Sequence, residues 1–301
     1  MAVSGSSRIN WGRRLTIAIP YLWLLAFFLA PFLIVLKISI SQPVIAMPPY
    51  VPTWDSWEAI TRHLSNLDFS NYEFLFSDPL YLNSYLNSLR IAGISTVITL
   101  LIGYPVAYGI ARSSPNWRAT LLMLVILPFW TSFLIRVYAW IGILKTEGVL
   151  NNFLLWTGII SEPLIIHFTP TAVYIGIVYS YLPFMILPLY ASLEKLDLSL
   201  LEAASDLGAR PLTAFWRITL PLSLPGVAAG CFLVFIPAVG EFVIPELLGG
   251  SSTQMIGRTL WSEFFQNRDW PIASAVAVLL LLVLVVPIVV FQRIAKRGGA
   301  G

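Results

Sequence analysis

Two carboxylates stand where carboxylates are costly. Glu241 and Glu246 close a long apolar run that follows Pro221, and an ionisable side chain in such a run normally faces a bundle interior or a wet path. Their chemistry suits a ligand carrying ammonium groups, because each carboxylate offsets the water a cation loses on burial. Aromatic side chains over a cation add about 0.5 to 2 kcal/mol each, depending on desolvation, and Trp130, Tyr138 and Tyr181 are the candidates for that role. The chain holds 11 Trp and 12 Tyr, so most of its aromatics serve as interfacial anchors or packing. The alternative for Glu241 is a packing salt bridge to Arg136 or Arg258. Glu246, beyond Pro245, belongs to the rim of the path.

A second group of polar residues interrupts the apolar pattern between Ser199 and Pro221. Ser199 and Glu202 have the spacing of a capping box. Leu200, Ala203, Ala204 and Leu207 repeat at helical spacing, leaving Glu202, Ser205 and Asp206 on the other face. Gly208 supplies a left-handed stop, and Pro211 fits the first turn of a second short helix that closes before Pro221.

Several chemistries are excluded. No GxxxxGK[ST] stretch occurs, so the chain does not bind nucleotide in the P-loop manner. Cys231 is the single cysteine, and His63 and His167 are far apart, so no clustered metal motif exists. No nucleophile, base and orienter constellation falls within the apolar runs, and no catalytic residue is assigned. The net charge of +3 is spread along the chain and points to no nucleic-acid partner.

The elements that must position these residues are membrane spans. Of 301 residues, 57% are hydrophobic and 11% charged, with a mean hydropathy of +0.80. Soluble domains carry about 25% charged residues. The sequence predicts an all-α integral membrane protein of about six spans, near 15–37, 88–112, 119–144, 169–193, 221–246 and 270–292. Residues 1–14 and 293–301 are expected as short cytoplasmic ends, and 194–221 as a cytoplasmic loop. The first run has 22 uncharged residues between Arg14 and Lys37, about 33 Å as a helix; it is read as a span and not as a cleaved signal peptide. The third is irregular at Pro128 and Arg136: either it kinks and continues, or a second half-helix lies near the interface, and Asn151 to Ile160 reads as a short amphipathic piece. Eleven basic residues fall on one side and four on the other, which places both termini and the Ser199 element in the cytoplasm.

Glu202-Ala203-Ala204, Gly208, and then Ile218, Leu220 and Pro221 match the EAA-type loop of ABC importer permeases. More widely the chain resembles the permease subunits of bacterial polyamine importers, most closely those for putrescine. That resemblance is carried by Tyr104-Pro105, LPFWTSFLIRVYAW from Leu127, LVFIPAVGEFVIPELLGG from Leu233, and Asn267 to Pro271. It implies a type I ABC importer permease fold in the bacterial inner membrane, with Glu202, Ala203, Ala204, Asp206, Gly208 and Arg210 forming a coupling helix and its turn. It implies that ATP and Mg are bound by a separate ATPase homodimer and that this chain holds no cofactor. It further implies a second homologous permease, a heterodimer being favoured, and a periplasmic polyamine-binding protein docking on Ser41–Tyr85 and Gly249–Trp270.

Overall fold

The computed structural model describes residues 11–53, 61 and 68–298. Residues 1–10 of the expected N-terminal segment, and Arg62 and His63 of the long polar loop, lie outside the described residues. In chain order the first helices are α1 (Trp11–Leu24) and α2 (Ala30–Ser39), joined through a π-helical turn. A two-residue pair follows, β1 (Gln42–Pro43) against β2 (Tyr50–Val51), and then α3 (Ser70–Ser77). After them come α4 (Pro79–Arg112), α5 (Pro115–Ile126), α6 (Phe133–Leu144), α7 (Val149–Trp156) and α8 (Pro170–Leu193). The chain closes with α9 (Ser199–Asp206), α10 (Pro211–Ala214), α11 (Leu220–Val239), α12 (Val243–Leu248), α13 (Ile256–Trp261) and α14 (Trp270–Gly298). Two compact units result, one from residues 1–77 with 262–301 and one from 78–261.

In the first unit α2 and α3 pack on α14. Asn71 ties the end of α2 by donating to the carbonyls of Ser39 (2.9 Å) and Ser41 (2.8 Å). The buried ammonium of Lys37 stands 4.2 Å above the Tyr50 ring, so Lys37 belongs to the helix end instead of terminating the span before it.

The second unit is built on α4, α8 and α11. Tyr104, Ala107, Met185, Ile186, Leu189 and Val234 form its buried core. Tyr104 also shares a 2.8 Å hydrogen bond with the Ser223 hydroxyl, which satisfies two polar groups inside the bundle. Close approach of α8 and α11 depends on glycine: a Cβ at Gly226 would stand 2.5 Å from the Ser192 Cβ and 2.8 Å from the Pro188 carbonyl oxygen. Neither neighbour is the tip of a flexible side chain. Gly226→Val is therefore expected to destabilise the bundle by about 1–3 kcal/mol, read as a lowered midpoint of thermal unfolding in detergent; an unchanged midpoint contradicts this packing.

Among the described residues four helices are long and apolar enough to cross a membrane: Thr16–Ser39, Pro79–Arg112, Pro170–Leu193 and Pro211–Val239. The third expected span, read as irregular at Pro128 and Arg136, is bent: after Trp130 the chain turns by 89°, and Phe133–Trp156 forms a second limb. Pro128 lies in a 3-10 turn there, and Thr131 is extended, so the helical hydrogen-bond ladder stops. The fifth starts at Pro211, not after Pro221. A π-helical turn, Phe215–Thr219, carries α10 into α11, widening the helix just before the proline ring that would otherwise strike a preceding carbonyl. That helix ends at Val239, so the expected 221–246 span is broken at Gly240–Phe242. The sixth expected span falls in α14, whose apolar part with described side chains, Trp270–Val286, is shorter than the other four.

Candidate functional site

Glu241 occupies the break between α11 and α12. Its carboxylate is turned inward and is only 8% exposed. One oxygen accepts from the Tyr181 hydroxyl at 2.5 Å. The other accepts from the amides of Val243 (3.1 Å) and Ile244 (3.4 Å), the first donors of α12 that have no partner within that helix. Glycine ends α11, and the next side chain caps α12. Tyr181 is the twelfth residue of the 24-residue α8, so the contact forms about half-way along that helix, just past the end of α11. Irregular backbone at that depth is tolerated where it is buried in protein or lines a wet path.

Among the described residues Glu241 makes no ion pair. The salt bridges considered from sequence are both absent there. Arg258 instead pairs with Glu246, Nε to Oε2 at 2.6 Å, in a half-exposed position. Arg136 lies over the rings of Phe129 (4.7 Å) and Phe133 (5.7 Å), with its Nε and Nη1 buried and without acceptors. The partners of the Glu241 carboxylate among the described residues are thus all neutral donors.

Of the five predicted path residues, the structure brings Glu241 and Tyr181 into contact. Glu246 is engaged by Arg258, while Trp130 (73% exposed) and Tyr138 sit on the open flank of the bent segment. The sequence reading missed the aromatics that lead from Tyr181. Phe184 lies 6.1 Å from the Tyr181 ring and meets Phe129 edge-on at 5.3 Å, and Phe242, next to Glu241, stacks on Trp261 at 4.4 Å. The spacing of Tyr181 and Phe184 on one helix face was a usable signal for the first of these.

The polar loop forms at the other end of the bundle. Its first helix is α9, but the capping box does not form: the Ser199 side chain makes no cap hydrogen bond, and Asp197 Oδ1 accepts from the Ser199 amide at 3.0 Å. That bond holds the Asp197 carboxyl below the usual carboxylate range. An Asp two residues ahead of the helix competes well with a Ser for the same role. At the far end, the Gly208 amide reaches the Ser205 carbonyl (2.8 Å) and the Ala209 amide the Ala204 carbonyl (2.9 Å), with Gly208 at φ +77°. This is the Schellman closure, and it turns the chain into α10.

The apolar stripe of α9 does not bury itself. Ala204 is buried and Leu201 half-buried, whereas Ala203 and Leu200 are exposed and Leu207 is 89% exposed. Glu202, Asp206, Gly208 and Arg210 are exposed around it. Beside Leu200 an open groove of about 640 Å³ runs between α8 and α11, with Lys195 and Asp197 at its lip. The loop therefore offers a mixed apolar and charged face to something outside the chain.

The family model described as binding-protein-dependent transport system inner membrane component matches residues 99–298, which include α8, α11, the polar loop and Glu241. The chain belongs to that family. The spermidine/putrescine transport system permease protein of Haemophilus influenzae is 44% identical to this transport component over 292 residues, covering 95% of each chain. The protein of the same name from Escherichia coli is 47% identical over 226 residues, 75% of this chain and 82% of its own. A solved bacterial alginate ABC transporter, in complex with alginate pentasaccharide-bound periplasmic protein, superposes with a TM-score of 0.73 at 18% identity, over 96% of this chain and 95% of that one. That likeness gives the transport component the fold of ABC importer permeases, and it leaves the cargo to be argued from side chains.

Proposed function

We propose that the chain is the membrane-embedded half of an ATP-driven, binding-protein-dependent importer of polyamines, putrescine or spermidine being the cargo. The observation that carries the cargo is the buried Glu241 carboxylate at a helix break, held by neutral donors alone. A carboxylate so placed has electrostatic capacity left for an ammonium group, and the exchange of the Tyr181 hydroxyl for a cation is a natural first step of binding. Glu246, Trp130 and Tyr138 are assigned to the outer approach. The names carried by the two similar permeases point to the same solute class.

In this reading ATP and Mg are bound by a separate ATPase homodimer that grips α9. Glu202, Ala203, Ala204, Asp206, Gly208 and Arg210 form the contact, which transmits closure of the ATPases to α8 and α11. A second, different permease completes the membrane domain, and a periplasmic binding protein delivers cargo to its outer face. Six spans with both termini in the cytoplasm place α9 on the ATPase side.

The test is reconstitution in proteoliposomes of the chain with its partner permease, ATPase and binding protein. ATP-dependent accumulation of labelled putrescine or spermidine is expected, with ATPase turnover stimulated by the loaded binding protein, and no turnover from the purified chain alone. Stimulation by an anionic or neutral solute with none by polyamines overturns the cargo. Hydrolysis by the isolated chain overturns the division of labour.

A further inference from the structure

The short helix that Glu241 caps is held at both ends. α12 has six residues, fewer than two turns, and a helix under about 12 residues is marginal by itself. Its place is therefore set by what its end groups meet. At the front, Glu241 accepts from the amides of Val243 and Ile244, and the next residue, Pro245, has no amide to satisfy. At the back, the Leu247 carbonyl accepts from His167 Nε2 at 3.1 Å, and the Leu248 carbonyl accepts from the Phe168 amide at 3.0 Å. Both of these donors stand in the loop that leads into α8.

That loop is shaped for the contact. Phe168 sits at φ +63°, a left-handed backbone that a bulky side chain avoids. Its ring is 62% exposed, so burial of the ring does not account for the conformation. What the turn secures is the pair of donors on α12. Gly250 lets the loop come close, since a Cβ there would stand 2.3 Å from the Phe168 carbonyl oxygen. The flanks of α12 are fixed as well. Ile244 and Leu248 are completely buried, α12 packs on α6 and α8, and Glu246 is tied to Arg258. The movement left to the helix is a slide along its own axis, which the two end contacts resist. The Glu241 bond to Ile244, at 3.4 Å, is already near the limit for a hydrogen bond, so a small slide breaks it.

We propose that His167 is a positioning residue for Glu241: by holding the far end of α12 it fixes the two amides that aim the carboxylate. This rests on the reading of Glu241 as the carboxylate that receives an ammonium group of the cargo. His167 acts through the helix and not on the carboxylate directly. Its donor is a ring N–H, which the Nε2 tautomer of the neutral imidazole and the imidazolium both carry. A displacement of the loop ahead of α8 is thereby passed to Glu241.

The test compares His167→Phe, which keeps an aromatic ring and loses the donor, with His167→Gln, whose amide can still donate. Hydrogen exchange over Glu241–Leu248 is followed in the assembled transporter in nanodiscs without cargo, and putrescine uptake is measured in proteoliposomes. In His167→Phe the Val243 and Ile244 amides are expected to exchange at least tenfold faster than in the wild type. KM for putrescine is expected to rise about fivefold while the maximal rate stays near that of the wild type. His167→Gln should restore both values, and in a Glu241→Gln background His167→Phe should leave KM where Glu241→Gln alone puts it. Wild-type exchange in His167→Phe, or the full rise in KM on the Glu241→Gln background, overturns the proposal. If His167→Phe does not assemble, His167→Ala, which adds no bulk, decides by the same measurements. Exchange is read without cargo, so faster exchange in a transporter that accumulates no polyamine would overturn the cargo and leave the hold of His167 on α12 standing.

Discussion

Glu241→Gln is expected to cut polyamine uptake at least tenfold while the transporter still folds and assembles. The substitution isolates charge because the hydrogen bonds can all survive. The Gln carbonyl oxygen can accept from the amides of Val243 and Ile244, and its NH2 can donate to the Tyr181 hydroxyl, which then acts as acceptor. What disappears is the negative charge, and a tenfold loss corresponds to about 1.4 kcal/mol. Glu241→Ala should behave differently: it strips the cap from α12 and leaves buried donors unpaired, at about 1–3 kcal/mol for each, so folding suffers along with transport. The discriminating measurement is uptake and its competition by diamines, compared with the yield of assembled complex. Wild-type uptake and competition in the Gln variant would reduce Glu241 to a helix cap and remove the cargo assignment.

How far the site was legible in the sequence depends on which interactions are local. Gly208 as a helix stop, and Pro211 as the start of the next helix, follow from backbone geometry at single residues, and both stand in the structure. Glu241 was conspicuous because a charge in an apolar run always needs a reason. Its partner could not be chosen on charge alone: the two arginines considered for it are both elsewhere, one on Glu246 and one on aromatic faces. The helix amides that hold Glu241 become visible only once the break at Gly240 is known. Continuous apolar composition hides such a break, since Leu233–Leu248 reads as one span until the backbone is followed. The 89° turn after Trp130 is the same case, where Pro128 marked a disturbance without giving its angle. The capping box failed because two caps competed and the sequence does not rank an Asp at 197 against a Ser at 199.

Gly208→Val is expected to leave the protein in the membrane and to reduce uptake at least tenfold, with ATP hydrolysis no longer responding to cargo. The residue sits at φ +77°, where an L side chain pays about 1–2 kcal/mol and a β-branched one more. Nothing lies within 4 Å of an added Cβ, so the effect comes from backbone strain at the turn and not from a clash with the bundle. Relief of that strain requires the turn between α9 and α10 to open. Opening it breaks the Ala209 to Ala204 bond and swings the exposed Leu207 and Glu202 out of the register a partner must meet. Gly208→Asn supplies the control, since Asn tolerates the left-handed region and can keep the same turn. Near-normal uptake with Asn and uncoupled hydrolysis with Val would tie function to the shape of this turn. Equal uptake by both variants would mean that α9 transmits nothing through Gly208, and coupling would have to be sought along the groove between α8 and α11, where Lys195 and Asp197 face outward.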